Sequence, residues 1–438
     1  MTNAWTWARR AHRPALAACL ALTLGLAACS DNDAITQGAQ APAPTGTPAA
    51  LAITTQPASA TIGQGLAATL SVQATQATTY QWQSSADGGA SWADISGATG
   101  DSYTTPANPL ANSGKQFRVR VMGSSGNVTS TVATLTVKPW VASLVTTTVA
   151  PPQQLALDAS GATLYVAMGN NNAVYRIDTA SGSGAEVTPG QPLSVPTGLA
   201  LAANGTLYVS GPHYIATVAA GATTATTWVG SGASGYADSP AVPQFNSPAS
   251  IALDSAGNLF VADPQNMRVR KVAADGTVST LAGDGTQAYA DGVGTAAKMA
   301  RPTGLALSRD GKTLYDTDTD SPCLRKIDVA SATVSTVLGD CANGNAGAGT
   351  VDGTAATPAK LGYSYGLAVD AHNHVFLTQA WDGVARVVTA AGEISTLRDG
   401  TGTALAFNFP VGVAVAGNGT VYVGASNSKQ IFKLTLAP

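Results

Sequence analysis

The sequence predicts an all-β fold, in which a β-sandwich of residues 51–138 is followed by a six-bladed β-propeller of residues 141–438. Residues 51–138 contain short segments that alternate apolar and polar side chains, separated by turns rich in glycine. From residue 155 onward, one phrase recurs six times at intervals of 44 to 62 residues. Charged residues make up only 11% of the chain. Long helices with paired surface charges are therefore not expected.

The first 50 residues indicate an export segment and a tether. Three arginines precede an apolar run over residues 15–28, which is too short to span a bilayer. The run ends in Leu26-Ala27-Ala28-Cys29, which resembles the lipobox of bacterial lipoproteins. This resemblance implies that residues 1–28 are removed, that Cys29 carries a lipid, and that the chain is exported and anchored to the outer membrane or cell surface. Residues 29–50 would then form a flexible tether. The alternative is an ordinary signal peptide with a chance cysteine.

The sandwich segment resembles the bacterial Ig-like modules of surface proteins. The resemblance rests on the run from Tyr80 to Trp92, which includes Gln-Trp-Gln and Asp-Gly-Gly, and on the Ile-Ser-Gly-Ala-Thr that begins at Ile95. Trp82 stands where that fold buries a core tryptophan between its two sheets. The cysteine pair of antibody domains is missing. The resemblance implies a spacer or adhesive unit without catalytic residues.

The six repeats each predict four strands. The recurring phrase is Leu-Ala-Leu-Asp or a close variant, and it begins at Leu155, Leu199, Ile251, Leu305, Leu367 and Val413. A turn and three further apolar segments follow each copy, and four strands per repeat are typical of a propeller blade. The third copy, residues 248–283, closely resembles the NHL repeat. That resemblance implies a module that binds a protein, a peptide, a glycan or RNA.

Ring closure follows from the incomplete last repeat. The sixth copy stops after its third strand, Gln430–Leu436, while residues 142–149 resemble a fourth strand without a blade. Pairing these two segments would complete blade six and remove the exposed edges that invite aggregation.

The candidate binding residues lie on one face of the predicted disc. Successive strands of a blade are antiparallel, so the loops after the second strands share a face with the long connectors between blades. The candidates on this face are His213, Asp263, Asn266, Asp318, Asp320 and Trp381. The aspartates of the connectors, including Asp238, Asp291 and Asp352, are interpreted as structural residues that hold their loops.

No cofactor is expected, and calcium is the one candidate considered. Asp316, Asp318 and Asp320 are spaced like the start of a calcium loop, but no glycine or distal glutamate follows. The favoured interpretation is that Asp318 is the turn aspartate of its repeat. His372 and His374 look like a metal pair, but they fall in a turn on the opposite face without a third ligand in view. A solvated turn is therefore expected there.

A disulfide is expected between Cys323 and Cys341. Of the four cysteines, Cys19 lies in the segment to be removed and Cys29 takes the lipid. The remaining two would pair in an exported protein. The alternative is two free thiols.

The sequence favours a monomeric binding module over an enzyme. A net charge of −3 and the predicted export argue against nucleic acid, which leaves a protein, peptide or glycan ligand besides the membrane. The alternative is a metal-dependent hydrolase or lyase, since lactonases and lyases share this architecture. Those enzymes hold a metal at the axis with acidic, asparagine or histidine ligands, and none of the innermost strands begins with an acidic residue or a histidine.

Overall fold

A computed structural model describes residues 50–189, 193–239, 241–342, 348–354 and 359–438. The predicted export segment, most of the tether and Cys29 lie outside these residues. Strands make up nearly all the regular structure of the described part. Its helices are single 3₁₀ turns at Leu110–Asn112, Gly169–Asn171, Pro264–Asn266 and Gly294–Ala296, and none of the described helices has the length and apolarity that a membrane span needs.

The N-terminal domain is built from ten strands. Five of them form a sheet in the order β2-β10-β8-β5-β6, with β9 paired to β8, while β1 pairs with β4 and β3 with β7. The strands are β1 (Ala52–Thr55), β2 (Ala60–Gly63), β3 (Thr69–Ser71), β4 (Gln73–Thr75), β5 (Thr79–Ser85), β6 (Ala93–Asp94), β7 (Ser102–Thr104), β8 (Gln116–Gly123), β9 (Gly126–Thr129) and β10 (Ala133–Lys138).

The core of this domain surrounds Trp82, as its sequence predicts. The indole is fully buried among Leu70, Phe117, Val119 and other apolar side chains of facing strands. Its Nε1–H donates to the carbonyl oxygen of Gly100 at 3.0 Å. The one polar atom of a large buried side chain is thereby satisfied.

Six four-stranded sheets follow, and they are the blades of the predicted propeller. Blade one contains β12 (Leu155–Leu157), β13 (Thr163–Met168), β14 (Ala173–Asp178) and β15 (Gly184–Glu186); blade two β16 (Leu199–Leu201), β17 (Leu207–Ser210), β18 (Ile215–Val218) and β19 (Thr226–Val229); blade three β20 (Ile251–Leu253), β21 (Leu259–Asp263), β22 (Arg268–Val272) and β23 (Val278–Ala282); blade four β25 (Pro302–Leu307), β26 (Thr313–Asp318), β27 (Cys323–Asp328) and β28 (Thr333–Gly339), with the short β24 (Gly292–Val293) at its outer edge; blade five β29 (Ser364–Val369), β30 (Val375–Gln379), β31 (Val384–Val388) and β32 (Ile394–Thr396); and blade six β33 (Pro410–Val415), β34 (Val421–Ala425), β35 (Gln430–Leu436) and β11 (Trp140–Thr147).

The ring closes through the predicted shared blade. Strand β11 pairs antiparallel with β35 from Trp140 opposite Leu436 to Thr147 opposite Gln430. The strand begins and ends two residues earlier than the sequence suggested. The innermost strands also contact one another in ring order, from β12 through β16, β20, β25, β29 and β33 back to β12. These contacts confirm six blades and a closed circle.

The innermost strands pack so closely that side chains are excluded at four positions. A Cβ atom on Gly198, Gly304, Gly366 or Gly412 would collide with a backbone carbonyl oxygen of the next blade. This agrees with the interpretation of these glycines as packing residues near the axis.

Blades three, four and five share a buried arginine in their third strand, and we call the arrangement the arginine staple. Arg270, Arg325 and Arg386 are fully buried. Each donates to an aspartate of the preceding connector, namely Asp238, Asp291 and Asp352. Those aspartates also accept the backbone N–H of Thr280, Thr336 and Thr396 in the outermost strand of the same blade. Each connector is thus tied to its blade, in the structural role that the sequence suggested for its aspartate.

A disulfide joins Cys323 at the start of β27 to Cys341 just after β28, with 5.2 Å between the two Cα atoms. Across the strand pair, Cys323 lies opposite Gly339. The bond therefore fixes the beginning of the connector between blades four and five.

The N-terminal domain packs directly against the propeller. Trp140, the first residue of β11, is buried, and its Nε1–H donates to the carbonyl oxygen of Gln64 at 3.0 Å. Leu66 packs into the apolar core shared by blades five and six. Ala107 donates its N–H to the Glu393 carboxylate. A spacer joined only by a flexible linker would not make such contacts.

We predict that Asp263→Ala lowers the free energy of unfolding by about 3 kcal/mol, because it removes one of the two carboxylates that compensate the buried Arg270. Urea unfolding followed by tryptophan fluorescence measures the effect. Arg309→Ala, at an exposed position in the adjacent blade, serves as the control and should change stability by less than about 0.5 kcal/mol. Equal effects of the two substitutions would contradict a stabilising role of the Asp263–Arg270 pair.

Candidate functional site

A pocket of about 550 Å³ opens on the connector face of the propeller, over blades three, four and five. It is formed by the starts of innermost strands and by the loops after the second strands, the two kinds of segment that the strand order places on one face. Its lining residues are Ser247, Ala249, Pro264, Gln265, Arg301, Thr303, Thr319, Asp320, Tyr363, Tyr365 and Trp381.

Aromatic residues contribute to the lining of the pocket. Trp381 stands edge-on to Phe409 with 5.2 Å between the ring centroids, and Tyr365 lies 6.1 Å from the same phenyl ring. The Trp381 side chain is 70% exposed although its base is held by this contact. A fixed indole with a free face offers a flat surface for stacking against a ligand.

The other lining residues include charged and polar side chains. Arg301 and Gln265 are exposed, and Asp320 is half-buried with Oδ2 accepting a hydrogen bond from the Gln287 amide at 2.7 Å. The hydroxyls of Thr303 and Thr319 share a hydrogen bond of 3.1 Å at the base. The pocket therefore combines apolar ring faces with a cation, an anion and an amide, a composition suited to orienting a small polar ligand.

Two of the six candidates from the sequence, Asp320 and Trp381, line this pocket. The structure corrects the interpretation of Asp263, which is fully buried and pairs with Arg270 at 3.0 Å. Burial raises the pKa of Asp263, although hydrogen bonds from Asn266 and other neighbours oppose the shift. Asn266 donates to Asp263 and to the Gly235 carbonyl. Both side chains therefore act within the blade, where they hold the loop that carries Pro264 and Gln265.

Asp318 is also buried, and it contacts the backbone of the pocket residue Arg301 from inside blade four. Its carboxylate accepts the backbone N–H of Arg301 at 2.8 Å and lies 3.7 Å from the Arg325 guanidinium. A ligand on the surface does not reach it. This agrees with the interpretation of Asp318 as the turn aspartate of its repeat, and it corrects its place among the ligand-binding candidates.

The three aspartates at 316, 318 and 320 do not converge on one point. Asp316 and Asp318 are buried inside blade four, while Asp320 reaches the pocket. Among the described residues, these three do not form a group of carboxylates close enough to hold one ion. His213, the remaining candidate, is half-buried outside the pocket, and its Nδ1 has no hydrogen-bond partner.

The interior of the ring is crossed by hydrogen bonds between blades. Gln154 of blade one donates to the Ser250 hydroxyl of blade three at 2.6 Å, and Ser250 donates to the carbonyl oxygen of Leu305 in blade four. Blade four lies opposite blade one in the ring. In the described residues, the innermost strands begin at or near proline, glutamine, threonine, serine, tyrosine and apolar residues, none of which offers a carboxylate or an imidazole to a metal at the axis.

Sequence reasoning missed Arg301, Tyr363 and Tyr365. Five of the six innermost strands begin at or near a proline, whereas blade five begins with Tyr363-Ser364-Tyr365. This departure was a detectable signal. Arg301 carries no comparable signal, because only the fold brings the start of blade four beside the loop of blade five.

Comparisons with protein families match two parts of the chain. A family model described as SMP-30/Gluconolactonase/LRE-like region matches residues 246–408. A second, described as Domain of unknown function (DUF8696), matches residues 36–139. The first covers blades three to five and the connectors that follow them, and the second covers the N-terminal domain.

Two curated proteins match over limited regions. Protein SUPPRESSOR OF QUENCHING 1, chloroplastic, from Arabidopsis thaliana is 27% identical over 203 residues, which are 43% of this chain and 19% of that protein. Endoglucanase C from Cellulomonas fimi is 36% identical over 104 residues, which are 23% of this chain and 9% of that protein. The chain thus spans less than a fifth of the length of either relative.

Solved structures share the fold at low sequence identity. An auxiliary nutrient binding protein from Bacteroides ovatus is 14% identical with a TM-score of 0.52, covering 89% of this chain and 98% of that one. A putative phosphatase from Bacteroides thetaiotaomicron is 12% identical with a TM-score of 0.52, covering 89% and 97%. These similarities support the β-propeller architecture and do not separate binding from catalysis.

Asp316 occupies a position that is apolar in the other five blades. The equivalent residues are Val166, Val209, Val261, Leu377 and Val423, each paired with the first residue of the recurring phrase. Both carboxyl oxygens of Asp316 are buried without a hydrogen-bond partner. Burial raises the pKa of Asp316 well above its usual value, and repulsion from Asp318 adds to the shift.

We predict that Asp316→Val stabilises the fold at pH 7 by about 1–3 kcal/mol, because it removes an unsatisfied buried group. Above about pH 4 the unfolded chain loses the proton of Asp316, while the folded chain keeps it. The contribution of Asp316 to the free energy of unfolding therefore becomes less favourable as the pH rises. The stability that Asp316→Val gains over the wild type should therefore be smaller when denaturation is measured at pH 4 than at pH 7. Destabilisation at pH 7 would instead mean that Asp316 is charged and pairs with Arg325, which lies opposite it.

Proposed function

We propose that the chain is an envelope-anchored binding protein whose propeller holds a glycan or a short peptide in the aromatic pocket. The observation that supports this most directly is the exposed Trp381 ring, which is fixed by Phe409 beside a cation, an anion and an amide. Sugar rings present apolar C–H faces and hydroxyls together, so they match stacking on an indole combined with hydrogen bonding to Arg301 and Asp320. We therefore place a glycan first and a peptide second.

The N-terminal features support the proposed location. The run Leu26-Ala27-Ala28-Cys29 supports lipidation of Cys29, and the segment that follows supports a tether to the outer membrane or cell surface. The NHL-like and Ig-like sequence features support a monomeric interaction protein of the envelope. In this proposal, the N-terminal domain orients the propeller as well as spacing it from the membrane. The auxiliary nutrient binding protein of similar fold also supports a role in ligand capture.

A metal-dependent lactonase or lyase is the second candidate, and the family match over residues 246–408 favours it. The residues that begin the described innermost strands offer no carboxylate or imidazole to the metal that such enzymes hold at the axis, so we derive no catalytic step. Lactone hydrolysis by the purified chain, assayed with and without added divalent cations, distinguishes this candidate. Metal-dependent turnover would overturn the binding proposal.

We predict that Trp381→Ala weakens binding to the best glycan or peptide from an array by at least tenfold, which corresponds to about 1.4 kcal/mol. The change should leave thermal stability nearly unaltered, since most of the indole is exposed. Calorimetric titration with the selected ligand measures the affinity. Trp92→Ala in the N-terminal domain is the matched control and should bind like the wild type. Unchanged affinity of Trp381→Ala would place the ligand elsewhere.

A further inference from the structure

Asp370, His372 and His374 come together on the propeller face opposite the pocket, in the turn between β29 and β30. One ligand atom from each lies within 4.8 Å of the others, and no other three His, Cys, Asp or Glu residues in the described ranges meet this condition. The sequence suggested a solvated turn without a third ligand. The structure instead supplies Asp370 as the third residue and buries His374, which is only 4% exposed.

The same turn in blade three shows that the two histidines are not needed for its geometry. There, Asp254 accepts the backbone N–H groups of Ala256 and Asn258 and the side-chain amide of Asn258. In blade five, Asp370 accepts the equivalent N–H groups of His372 and His374, and His374 Nδ1 lies 2.8 Å from Asp370 Oδ2. Blade five therefore has two imidazoles where blade three makes the same turn with alanine and asparagine.

The second nitrogen of His374 contacts the N-terminal domain. Nε2 accepts the backbone N–H of Ala67 at 3.3 Å. Because that N–H can only donate, Nε2 is unprotonated, and Nδ1 carries the proton that is shared with Asp370. The three side chains line a cavity of about 630 Å³ between the two domains, whose walls include Leu66 and Trp140. A solute can therefore reach them.

We propose that Asp370, His372 and His374 form a site for a transition-metal ion of the zinc type. Two imidazoles and one carboxylate suit Zn²⁺ better than Ca²⁺, which prefers oxygen ligands throughout. The ion takes the place of the proton between Asp370 Oδ2 and His374 Nδ1. Those two atoms must separate by about 0.5 Å to accommodate bonds of roughly 2.0–2.2 Å. The exposed His372 completes three protein ligands, and a fourth position faces the cavity.

Metal binding at this site competes with the contact between the domains. When the ion takes Nδ1, the imidazole proton moves to Nε2, which then donates and no longer accepts. Ala67 N–H loses its acceptor, so the hydrogen bond between the domains breaks. Residues 60–69 and 416–420, which form the facing walls of the cavity, carry no ionisable side chain that could bind the ion in place of His374. The site therefore links metal occupancy to the docking of the N-terminal domain.

The test is calorimetric titration of the full, untagged chain with ZnCl₂ at pH 7.5. We expect one ion per chain, at least tenfold weaker binding for His372→Ala, and loss of binding for His374→Asn. These two substitutions introduce the residues that blade three has at the same positions, alanine and asparagine, so the turn should fold. Thermal melting of each variant checks that it does.

His213→Ala, on the opposite face, is the control and should bind like the wild type. Absence of stoichiometric zinc, or unchanged affinity of His372→Ala, overturns the proposal.

Amide hydrogen exchange at Ala67 provides a readout independent of affinity. Saturating zinc should accelerate exchange in the wild type by at least tenfold. In His374→Asn, exchange should be fast with or without the metal, because asparagine retains the bond to Asp370 but does not reach Ala67. Zinc binding that leaves the Ala67 amide protected would overturn ligation through His374.

Discussion

The antiparallel pairing of β11 with β35 is the constraint on which the rest of the molecule depends. A propeller ring closes only if its first and last segments meet, and here one strand from before the first repeat completes the last blade. Trp140 begins that strand and also donates to Gln64 of the N-terminal domain. Closing the ring therefore fixes the position of the first domain, since only Pro139 separates β10 from β11.

This coupling makes the two faces of the propeller different. The N-terminal domain covers turns of blades five and six on one face through Leu66, Ala67 and Ala107. Among the described residues, the connector face carries the aromatic pocket, which the N-terminal domain does not line. The cavity between the domains, of about 630 Å³, has walls from both domains and contains the histidine cluster. One covalent order of segments thus yields two candidate sites of different chemistry on opposite faces of the propeller.

The fold could be predicted from the sequence because each blade repeats its own signals. The recurring phrase, the glycines at the axis and the unpaired strand before the first copy together determined the ring. Asp263 and Asp318 lie on the predicted face, but as candidate ligand-binding residues they prove to be buried beside Arg270 and Arg325, which follow seven residues later on the next strand. That spacing was visible and could have identified them as ion pairs. The pocket was less predictable, since Arg301, Tyr363 and Trp381 meet only in the assembled ring.

The arginine staples and the pocket occupy the same three blades, and each staple supports one part of the pocket. In blade three, Asp263 binds Arg270 and holds Asn266 in the loop that carries Gln265. In blade four, Asp318 lies beside Arg325 and accepts the N–H of Arg301. In blade five, Gln379 accepts from Arg386 and donates to Asp382, the residue after Trp381.

Blades one, two and six have Tyr175, Ala216 and Phe432 at the arginine position, and they carry none of the residues that line the pocket. The family match over residues 246–408 spans the same three stapled blades. Buried charge pairs are costly unless every partner is in place, and a pocket binds more tightly when its loops are already ordered. The staples are therefore best understood as the rigid support of the pocket, and the three remaining blades as the part of the ring that closes it.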